Sequence, residues 1–228
     1  MGIKENSKAL RDSLQQGIYM VINPFVRLLI RMGITPNMVT TIGMLGQVAG
    51  AALMIRAGYV AGATGVVPYE LVTIAGIVII AFSLFDMLDG QVARLGGMVS
   101  RFGAMYDSIL DRYCELISLG GIAYYFMQFG ELFAAIVTYL AIIGSLLVSY
   151  VRARAEGIGL ECKIGFMQRP ERVVVTCVGV MATGILGQCG MEWADMALEG
   201  AMLIIAVFAN ITAFARISYC RRQLENEK

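Results

Sequence analysis

The sequence contains no histidine among its 228 residues. Histidine is the commonest nitrogen ligand of protein-bound metals and the usual general base near neutral pH. Its absence excludes histidine-ligated metal centres, the Glu-x-x-His arrangement of di-iron helical bundles, and any mechanism that uses a histidine base. A metal or proton-transfer site in this chain must therefore be built from other side chains.

Charged residues are also scarce, at 15% of the chain, whereas a soluble domain carries about 25%. Hydrophobic residues make up 58%, and the mean hydropathy is +0.71. The apolar residues lie in long runs, which indicates membrane spans and not a large soluble core. The net charge of +1 points to no particular partner.

Three further absences narrow the choice of protein class. No Cys-x-x-Cys pair occurs, and we expect the five cysteines to be small apolar packing residues: Cys114, Cys162, Cys177, Cys189 and Cys220. The N-terminal stretch lacks the charge, apolar run and cleavage site of a signal peptide, so we expect no cleaved leader. No internal repeat is visible, which disfavours a transporter built from inverted repeats.

Six apolar runs predict six transmembrane helices, each near the ~20 residues that cross the hydrocarbon core. They cover residues 38–58, 71–93, 102–127, 132–153, 170–190 and 197–219. Upstream, residues 13–34 place apolar side chains at helical spacing but include Pro24, Arg27 and Arg31. That pattern predicts an amphipathic helix lying in the membrane interface and not a seventh span.

The sequence thus predicts an all-α integral membrane protein in three parts. They are an N-terminal cytoplasmic or interfacial segment at 1–37, a six-helix transmembrane catalytic domain at 38–219 and a cytoplasmic tail at 220–228. Sixteen of the 18 basic residues fall on one side of the spans: Lys4, Lys8, Arg11, Arg27, Arg31, Arg94, Arg101, Arg152, Arg154, Lys163, Arg169, Arg172, Arg216, Arg221, Arg222 and Lys228. The positive-inside rule then makes that side, with both termini, cytoplasmic.

Four aspartates stand out in or beside these apolar spans, where a carboxylate costs roughly 3 kcal/mol. The stretch "FDMLDGQVARLGGMVSRFGAMYDSILDRYCE" at 85–115 contains Asp86, Asp89, Asp107 and Asp111. The spacings of three and four residues place each pair on one helix face. A tight connection between the two spans would bring all four carboxylates to one pocket that opens to the cytoplasm.

Four close carboxylates repel one another unless cations neutralise them. Oxygen ligands without histidine or thiolate select Mg²⁺, Mn²⁺ or Ca²⁺. Four carboxylates suit two ions about 4 Å apart, the arrangement used in phosphoryl chemistry. The small residues Gly90, Ala93 and Gly103 leave this face open to a diphosphate, and Arg94 could neutralise a phosphate oxygen. A single membrane aspartate paired with an arginine, or close packing of small residues, is the alternative interpretation.

The whole pattern resembles the signature of the CDP-alcohol phosphotransferase family, also called class-I CDP-alcohol phosphatidyltransferases. It reads Asp86-x-x-Asp89-Gly90-x-x-Ala93-Arg94, then eight residues, then Gly103-x-x-x-Asp107-x-x-x-Asp111, with no departure at eight positions in 26 residues. The resemblance implies a membrane enzyme that transfers a phosphatidyl or related group from a CDP donor to a hydroxyl and releases CMP.

The resemblance also implies roles for particular residues. Asp86, Asp89 and Asp107 would hold two Mg²⁺ or Mn²⁺ ions, and Asp111 would lie near the second ion and act as the general base. The CDP-diacylglycerol donor would contact the following residues: Asn37, Thr40, Gly90, Ala93, Arg94, Ser100 and Gly103. For Asn37 and Thr40, in "TPNMVT", an ordinary helix start with an early proline is an equally good interpretation. A homodimer is a further expectation of the resemblance.

The acceptor is less firmly indicated. Ser108 and Arg112 give "DSILDR", which is similar to the inositol branch of the family. Four arginines at cytoplasmic span ends suit an anionic acceptor: Arg152, Arg154, Arg172 and Arg216. Their surroundings resemble bacterial phosphatidylinositol-phosphate synthases, which use inositol 1-phosphate, although topology alone also explains basic residues there. Glycerol 3-phosphate, serine and free inositol remain alternative acceptors.

A cation transporter with intramembrane aspartates is the competing class. It would explain the carboxylates and the metal, but it would not require Gly90, Ala93, Arg94 and Gly103 at their spacings. We therefore predict a phospholipid-synthesising transferase with membrane lipids as partners and no nucleic acid. A prokaryotic plasma membrane fits a catalytic site on the cytoplasmic side, and a eukaryotic internal membrane is the alternative.

Overall fold

The computed structural model describes residues 22–226, and within that range it contains helices and turns but no strand. Residues 22–31 are helical. Seven further helices follow: α1 Pro36–Thr64, α2 Tyr69–Ser83, α3 Phe85–Leu95, α4 Arg101–Phe129, α5 Leu132–Glu156, α6 Arg169–Gln188 and α7 Asp195–Asn226. Residues 1–21 of the predicted N-terminal segment and 227–228 of the predicted tail lie outside the described residues.

Among the residues that the structure describes, five helical stretches are long and apolar enough to cross a membrane: Pro36–Thr64, Tyr69–Leu95, Leu132–Glu156, Arg169–Gln188 and Asp195–Asn226. They coincide with five of the six predicted spans. The remaining predicted span, 102–127, is the 29-residue helix α4. Its length suffices, but charged side chains such as Asp107, Asp111 and Glu115 lower its hydropathy. Over residues 22–226 the protein is thus all-helical, with at least five helices able to cross a membrane.

The second predicted span differs from expectation because it is interrupted at Leu84, between α2 and α3. The hydroxyl of Ser83 donates to the carbonyl of Ile79, and the side-chain amide of Gln47 donates to the same carbonyl and to the Ser83 hydroxyl. A hydroxyl that bonds back to its own helix often bends it. The Gln47 carbonyl oxygen also accepts from Ser118, so this amide links α1, α2 and α4.

The chain forms two compact units, the smaller of which contains the described residues up to Gly43 together with Leu84–Leu110. Its core consists of Val26, Val39, Leu88 and Val92. Gly33, with a φ of +75°, ends the first helical segment, and Thr35 caps α1 by accepting from the amide of Met38. Proline at the first position of a helix has no amide hydrogen to leave unsatisfied, which explains Pro36.

The larger unit contains Met44–Ser83 and the chain from Asp111 onward. Here α5 packs along α7, and α6 packs against both α2 and α7. Glycines allow the closest approaches: a Cβ on Gly58 would lie 2.7 Å from the Cα of Tyr125, and one on Gly184 would lie 2.7 Å from the amide nitrogen of Thr73. Backbone contacts of this kind fix α4 against α1 and α6 against α2.

The cysteines agree only in part with the expected packing role. Cys162 is fully buried in the loop between α5 and α6, and burial raises the pKa of its thiol above the usual range. Cys189, in contrast, is exposed. A buried thiol of raised pKa is unreactive, which fits a structural role for Cys162.

Candidate active site

Helix α3 carries the first two aspartates of the motif, Asp86 in its first turn and Asp89 three residues later. Asp89 is buried, with 4% of its surface exposed. The Thr40 hydroxyl donates to its Oδ2 at 2.7 Å. A buried carboxylate needs such partners to remain ionised. The predicted contact of Thr40 with the donor stays a prediction, and the structure adds that the Thr40 hydroxyl binds Asp89.

Helix α4 brings Asp107 to the aspartates of α3. Ligand oxygens of Asp86 and Asp107 lie within 4.8 Å of one another. Asp89 is near enough for its charge to interact with both. Asp111 follows Asp107 by one turn of the same helix, as predicted from the four-residue spacing. The structure therefore brings Asp86, Asp89 and Asp107 together.

This donor set fits a divalent cation. Mg²⁺ binds oxygen at about 2.1 Å, so two ligands on opposite sides of one ion lie about 4.2 Å apart. The separation of up to 4.8 Å between Asp86 and Asp107 needs only a small adjustment. All ligands are carboxylates, which favours Mg²⁺ or Mn²⁺ over the metals that prefer nitrogen or sulfur.

The predicted open face beside the carboxylates is present at Gly90. A Cβ built there would meet only the guanidinium of Arg94, at 3.5 Å or more, which is an ordinary contact. The protein's own packing therefore does not require glycine at this position. Arg94 lies over that face, where it could bind a phosphate oxygen, while Ala93 is half-buried on the same helix.

The predicted donor residues Asn37, Ser100 and Gly103 also lie together. The amide of Gly103 donates to the Ser100 hydroxyl at 2.9 Å, which makes Ser100 the N-cap of α4. A Cβ on Gly103 would lie 3.0 Å from that hydroxyl oxygen and 3.4 Å from the side-chain oxygen of Asn37. A larger residue at 103 would therefore crowd Ser100 and Asn37, even without a donor bound. Tyr106 lies on the same part of α4 and was not predicted from the sequence. Its hydroxyl lies 3.0 Å from the hydroxyl of Thr41.

One residue near the predicted base was missed by the sequence analysis. Arg169, the first residue of α6, forms an ion pair with Asp111, with Nη1 at 2.6 Å from Oδ2. Arg169 had been counted only as a cytoplasmic cation. Its position before Pro170 marked it as a helix start, but nothing in the sequence indicated a partner on α4.

Two of the four predicted acceptor arginines are buried. Arg172 donates from Nε and Nη2 to the two carboxylate oxygens of Glu115, at 2.5 and 2.8 Å, and from Nη1 to the carbonyl of Met167. Arg216 donates to the carbonyls of Ile164 and Val148. Their exposed fractions are 1% and 2%. Both arginines hold the loop that joins α5 to α6.

The other two predicted acceptor arginines are accessible. Arg152 pairs with Glu156 one turn later in α5, at 2.9 Å, and Arg154 is exposed. Arg152 and Arg172 have carboxylate partners, Glu156 and Glu115, whereas Arg216 donates its hydrogen bonds to backbone carbonyls.

Comparison with known proteins gives a consistent assignment. The chain is 35% identical over 199 residues to the phosphatidylinositol phosphate synthase of Mycobacterium marinum, covering 86% of this chain and 78% of that protein. It is 33% identical over 219 residues to the phosphatidylinositol phosphate synthase of Cutibacterium acnes, covering 94% and 99%.

Solved structures agree with these relatives. The Mycobacterium tuberculosis phosphatidylinositol phosphate synthase in complex with manganese and citrate gives a TM-score of 0.74 at 32% identity, over 86% of this chain and 87% of that one. The same enzyme with CDP-DAG bound gives 0.72 at 30%, over 88% and 94%. A family profile described as CDP-alcohol phosphatidyltransferase matches residues 33–212. With the aspartate motif intact within that range, the chain belongs to the CDP-alcohol phosphatidyltransferase family.

Proposed function

We propose that this protein transfers the phosphatidyl group of CDP-diacylglycerol to a hydroxyl of inositol 1-phosphate. The products are phosphatidylinositol phosphate and CMP. The observation that carries the proposal is the approach of Asp86 to Asp107 beside the buried, hydrogen-bonded Asp89. Relatives named for this activity, one of them solved with CDP-DAG, support the choice of donor and acceptor.

Asp86, Asp89, Asp107 and Asp111 would hold two divalent ions, Mg²⁺ or Mn²⁺. When bound, the ions neutralise the donor's diphosphate and stabilise the CMP leaving group. The manganese complex of a relative supports this part of the proposal. Thr40 contributes by fixing the orientation of Asp89, as hydrogen-bond partners of metal ligands commonly do.

Asp111 accepts the proton of the acceptor hydroxyl, and the hydroxyl oxygen attacks the phosphorus atom that carries the diacylglycerol group. The bond from that phosphorus to the oxygen of CMP breaks, and CMP leaves with the electron pair. Arg169 beside Asp111 stabilises the ionised carboxylate, which is the form that accepts a proton. A carboxylate is a weak base, so it acts only as the new phosphorus–oxygen bond forms.

The donor would be bound by the open face of α3 and by the start of α4. Gly90 gives the diphosphate access to the backbone, and Arg94 offers a planar fork of N–H groups to a phosphate oxygen. We retain five further residues as part of the donor-binding surface: Asn37, Thr40, Ala93, Ser100 and Gly103. Thr40 acts mainly through its hydrogen bond to Asp89, and Ser100 and Gly103 act through their hydrogen bond at the start of α4.

The acceptor phosphate would be bound by arginines of α5, α6 and α7. Arg152, Arg154 and Arg169 are accessible, and Arg169 is beside the proposed base. Arg172 and Arg216 are buried and hydrogen-bonded in this structure. We retain both as predicted acceptor residues, because each has guanidinium N–H groups that match a phosphate. Two arginines that bind one phosphate gain roughly 1.5–3 kcal/mol for each charge-assisted bond.

The same proposal includes the topology. The protein would have six spans, the third of which is α4, and residues 22–31 would lie in the membrane interface. This arrangement would place both termini and the aspartates on the cytoplasmic side. The distribution of basic residues supports this orientation. A homodimer remains a prediction from the resemblance.

The direct test is CMP release by the purified protein in detergent with CDP-diacylglycerol and Mg²⁺. Inositol 1-phosphate should give the highest kcat/KM, ahead of glycerol 3-phosphate, serine and free inositol. Metal-free enzyme in excess chelator should release no CMP. Release with serine or free inositol as the better acceptor would leave the family intact and reject the phosphorylated acceptor.

A further inference from the structure

The helical segment before α1 has an exposed apolar stripe in addition to the face that packs on the protein. The packed face belongs to the core of the smaller unit: Ile22, Val26, Leu29 and Ile30. Three large apolar side chains lie outside that core and are 48%, 52% and 66% exposed: Phe25, Leu28 and Met32. Arg27 and Arg31, one helical turn apart, are exposed beside them. The segment thus presents an apolar stripe flanked by two cations.

The charges around this stripe are of one sign. Residues 22–43 contain no aspartate, glutamate or lysine, so Arg27 and Arg31 are the charged side chains of that stretch. Within the described part of the chain, neither arginine forms an ion pair with a carboxylate. The α3–α4 connection packs on the same core through Met98 and adds the exposed Arg101. This surface therefore suits an anionic partner.

A lipid bilayer of negative charge satisfies both parts of the surface at once. Apolar side chains of an interfacial helix enter the boundary between headgroups and acyl chains, while neighbouring arginines remain among the headgroups. Anionic lipids attract such arginines. A second copy of the chain fits less well, because a two-fold contact through this face would place Arg27 and Arg31 against the same residues of the other copy.

The packed face connects this surface to the metal-binding aspartates. Val26 shares one small core with Leu88 and Val92 of α3. The same helix α3 carries the first two aspartates of the motif. The depth of residues 22–32 in the bilayer therefore fixes the depth of α3. The diphosphate of a CDP-lipid donor also lies at the level of the headgroups, so the two depths must agree for the donor to reach the aspartates.

We propose that a lipid-binding surface, formed by Phe25, Arg27, Leu28, Arg31 and Met32, binds the headgroups of anionic phospholipids in the cytoplasmic leaflet. Bound lipid holds α3 at the depth of the donor's diphosphate, so an anionic bilayer lowers the KM for CDP-diacylglycerol. None of the five residues is among those assigned above to the donor, the acceptor or the metals. The kinetic consequence rests on the proposed function, whereas lipid binding itself does not.

The test compares vesicles of phosphatidylcholine with and without phosphatidylglycerol, which is anionic and is not a substrate of the proposed reaction. In the wild type, phosphatidylglycerol should lower the donor KM, expressed as a mole fraction, by about fivefold or more. In Arg27→Gln with Arg31→Gln the donor KM should not respond. Arg221→Gln with Arg222→Gln, the same charge change at exposed sites in α7, is the control and should respond like the wild type. General effects of surface charge on Mg²⁺ or the acceptor are common to all three proteins.

The direction of the change separates anchoring from direct binding of the donor. If Arg27 and Arg31 bound the donor's diphosphate, phosphatidylglycerol would compete and raise the donor KM of the wild type, which overturns the proposal. An equal response in the wild type and the double glutamine variant overturns it as well. Arg27→Lys with Arg31→Lys should keep the response, because attraction to a charged surface depends on the charge and not on the guanidinium fork. Loss of the response in the lysine variant would contradict a headgroup surface.

Melting temperatures test lipid binding without turnover, so failure of the proposed function is distinguishable. In detergent micelles, added phosphatidylglycerol should raise the Tm of the wild type and of the Arg221 and Arg222 control more than that of Arg27→Gln with Arg31→Gln. Phosphatidylcholine should produce no such difference. A protein that releases no CMP but shows this difference rejects the function and keeps the lipid-binding surface. Equal rises in all three proteins reject the surface.

Discussion

At the scale of the residue, the side chains that hold the aspartates are as informative as the aspartates. Asp89 is buried, and the Thr40 hydroxyl donates to it from α1. The aspartate motif was visible in the sequence because helical spacing alone places its members on common faces. Thr40 was singled out for a different role, because its distance from Asp89 depends on how α1 meets α3.

Replacing Thr40 tests the importance of that contact. Thr40→Val keeps the shape and removes the hydrogen bond to Asp89, so the affinity for Mg²⁺ should fall by about 10–100-fold. The measurement is the Mg²⁺ concentration that gives half-maximal CMP release. Thr41→Val, which loses a contact to Tyr106 instead, is the control and should leave that concentration unchanged. An unchanged Mg²⁺ requirement in Thr40→Val would show that Asp89 needs no such partner.

Removing one carboxylate should abolish activity and at the same time raise the stability of the metal-free protein. Asp107→Asn removes a proposed metal ligand, so CMP release should be lost. In chelator the same variant should melt at a higher temperature than the wild type, because the repulsion between Asp107 and Asp86 is relieved. Melting curves with and without Mg²⁺ show both effects. A lower Tm in chelator would mean that Asp107 is held by favourable contacts and not strained by its neighbours.

At the scale of the element, each of the six apolar runs predicted a helical stretch whose observed ends lie within seven residues of the predicted ones, although the second run is split into α2 and α3. The break at Leu84 was not predictable, because it depends on Gln47 of another helix. The pairing of Arg169 with Asp111 was missed for the same reason, since residues far apart in sequence give no periodic signal. Local pattern determines where helices occur, and contacts between helices determine where they bend and which charges meet.

The Gln47 contacts should make a measurable contribution to stability. Gln47→Leu removes hydrogen bonds to Ile79, Ser83 and Ser118. Ser83 and Ile79 remain bonded to each other, whereas the Ser118 hydroxyl loses its acceptor. The expected cost is about 1–3 kcal/mol for each group that finds no new partner, which lowers Tm. Gln188→Leu, at an exposed site, is the comparison and should change Tm little. Equal melting of the two variants would indicate that Ser83 alone maintains the break.

At the scale of the whole molecule, the distribution of charge predicts the orientation in the membrane. The prediction places five acidic loop residues opposite the basic ones: Glu70, Glu131, Glu192, Asp195 and Glu199. Asp195 accepts from the hydroxyls of Tyr69 and Tyr125, so the predicted outer end has a polar network of its own. Composition predicted the membrane class, and the described residues contain five helices long and apolar enough to cross a membrane. The sixth predicted span, which corresponds to α4, stays a prediction.

Labelling of single cysteines tests that orientation. In a protein with its native cysteines replaced, a cysteine at Lys163 should react with an impermeant reagent from the cytoplasmic side, and one in place of Glu192 from the outside. The physical reason is the excess of basic residues on the side of Lys163. Sealed vesicles of known orientation provide the measurement. The reverse pattern would put the aspartates on the side opposite to the supply of CDP-lipid.

Gly90 has a consequence for experimental design. Because a Cβ at this position meets nothing closer than 3.5 Å, Gly90→Ala should fold, insert and melt like the wild type. The added methyl group would occupy the space that a diphosphate needs beside the backbone. Such a variant should be folded but catalytically inactive. It would serve as the inactive control in assays of metal binding, phosphate binding and membrane orientation. Any signal that it shares with the wild type arises without turnover.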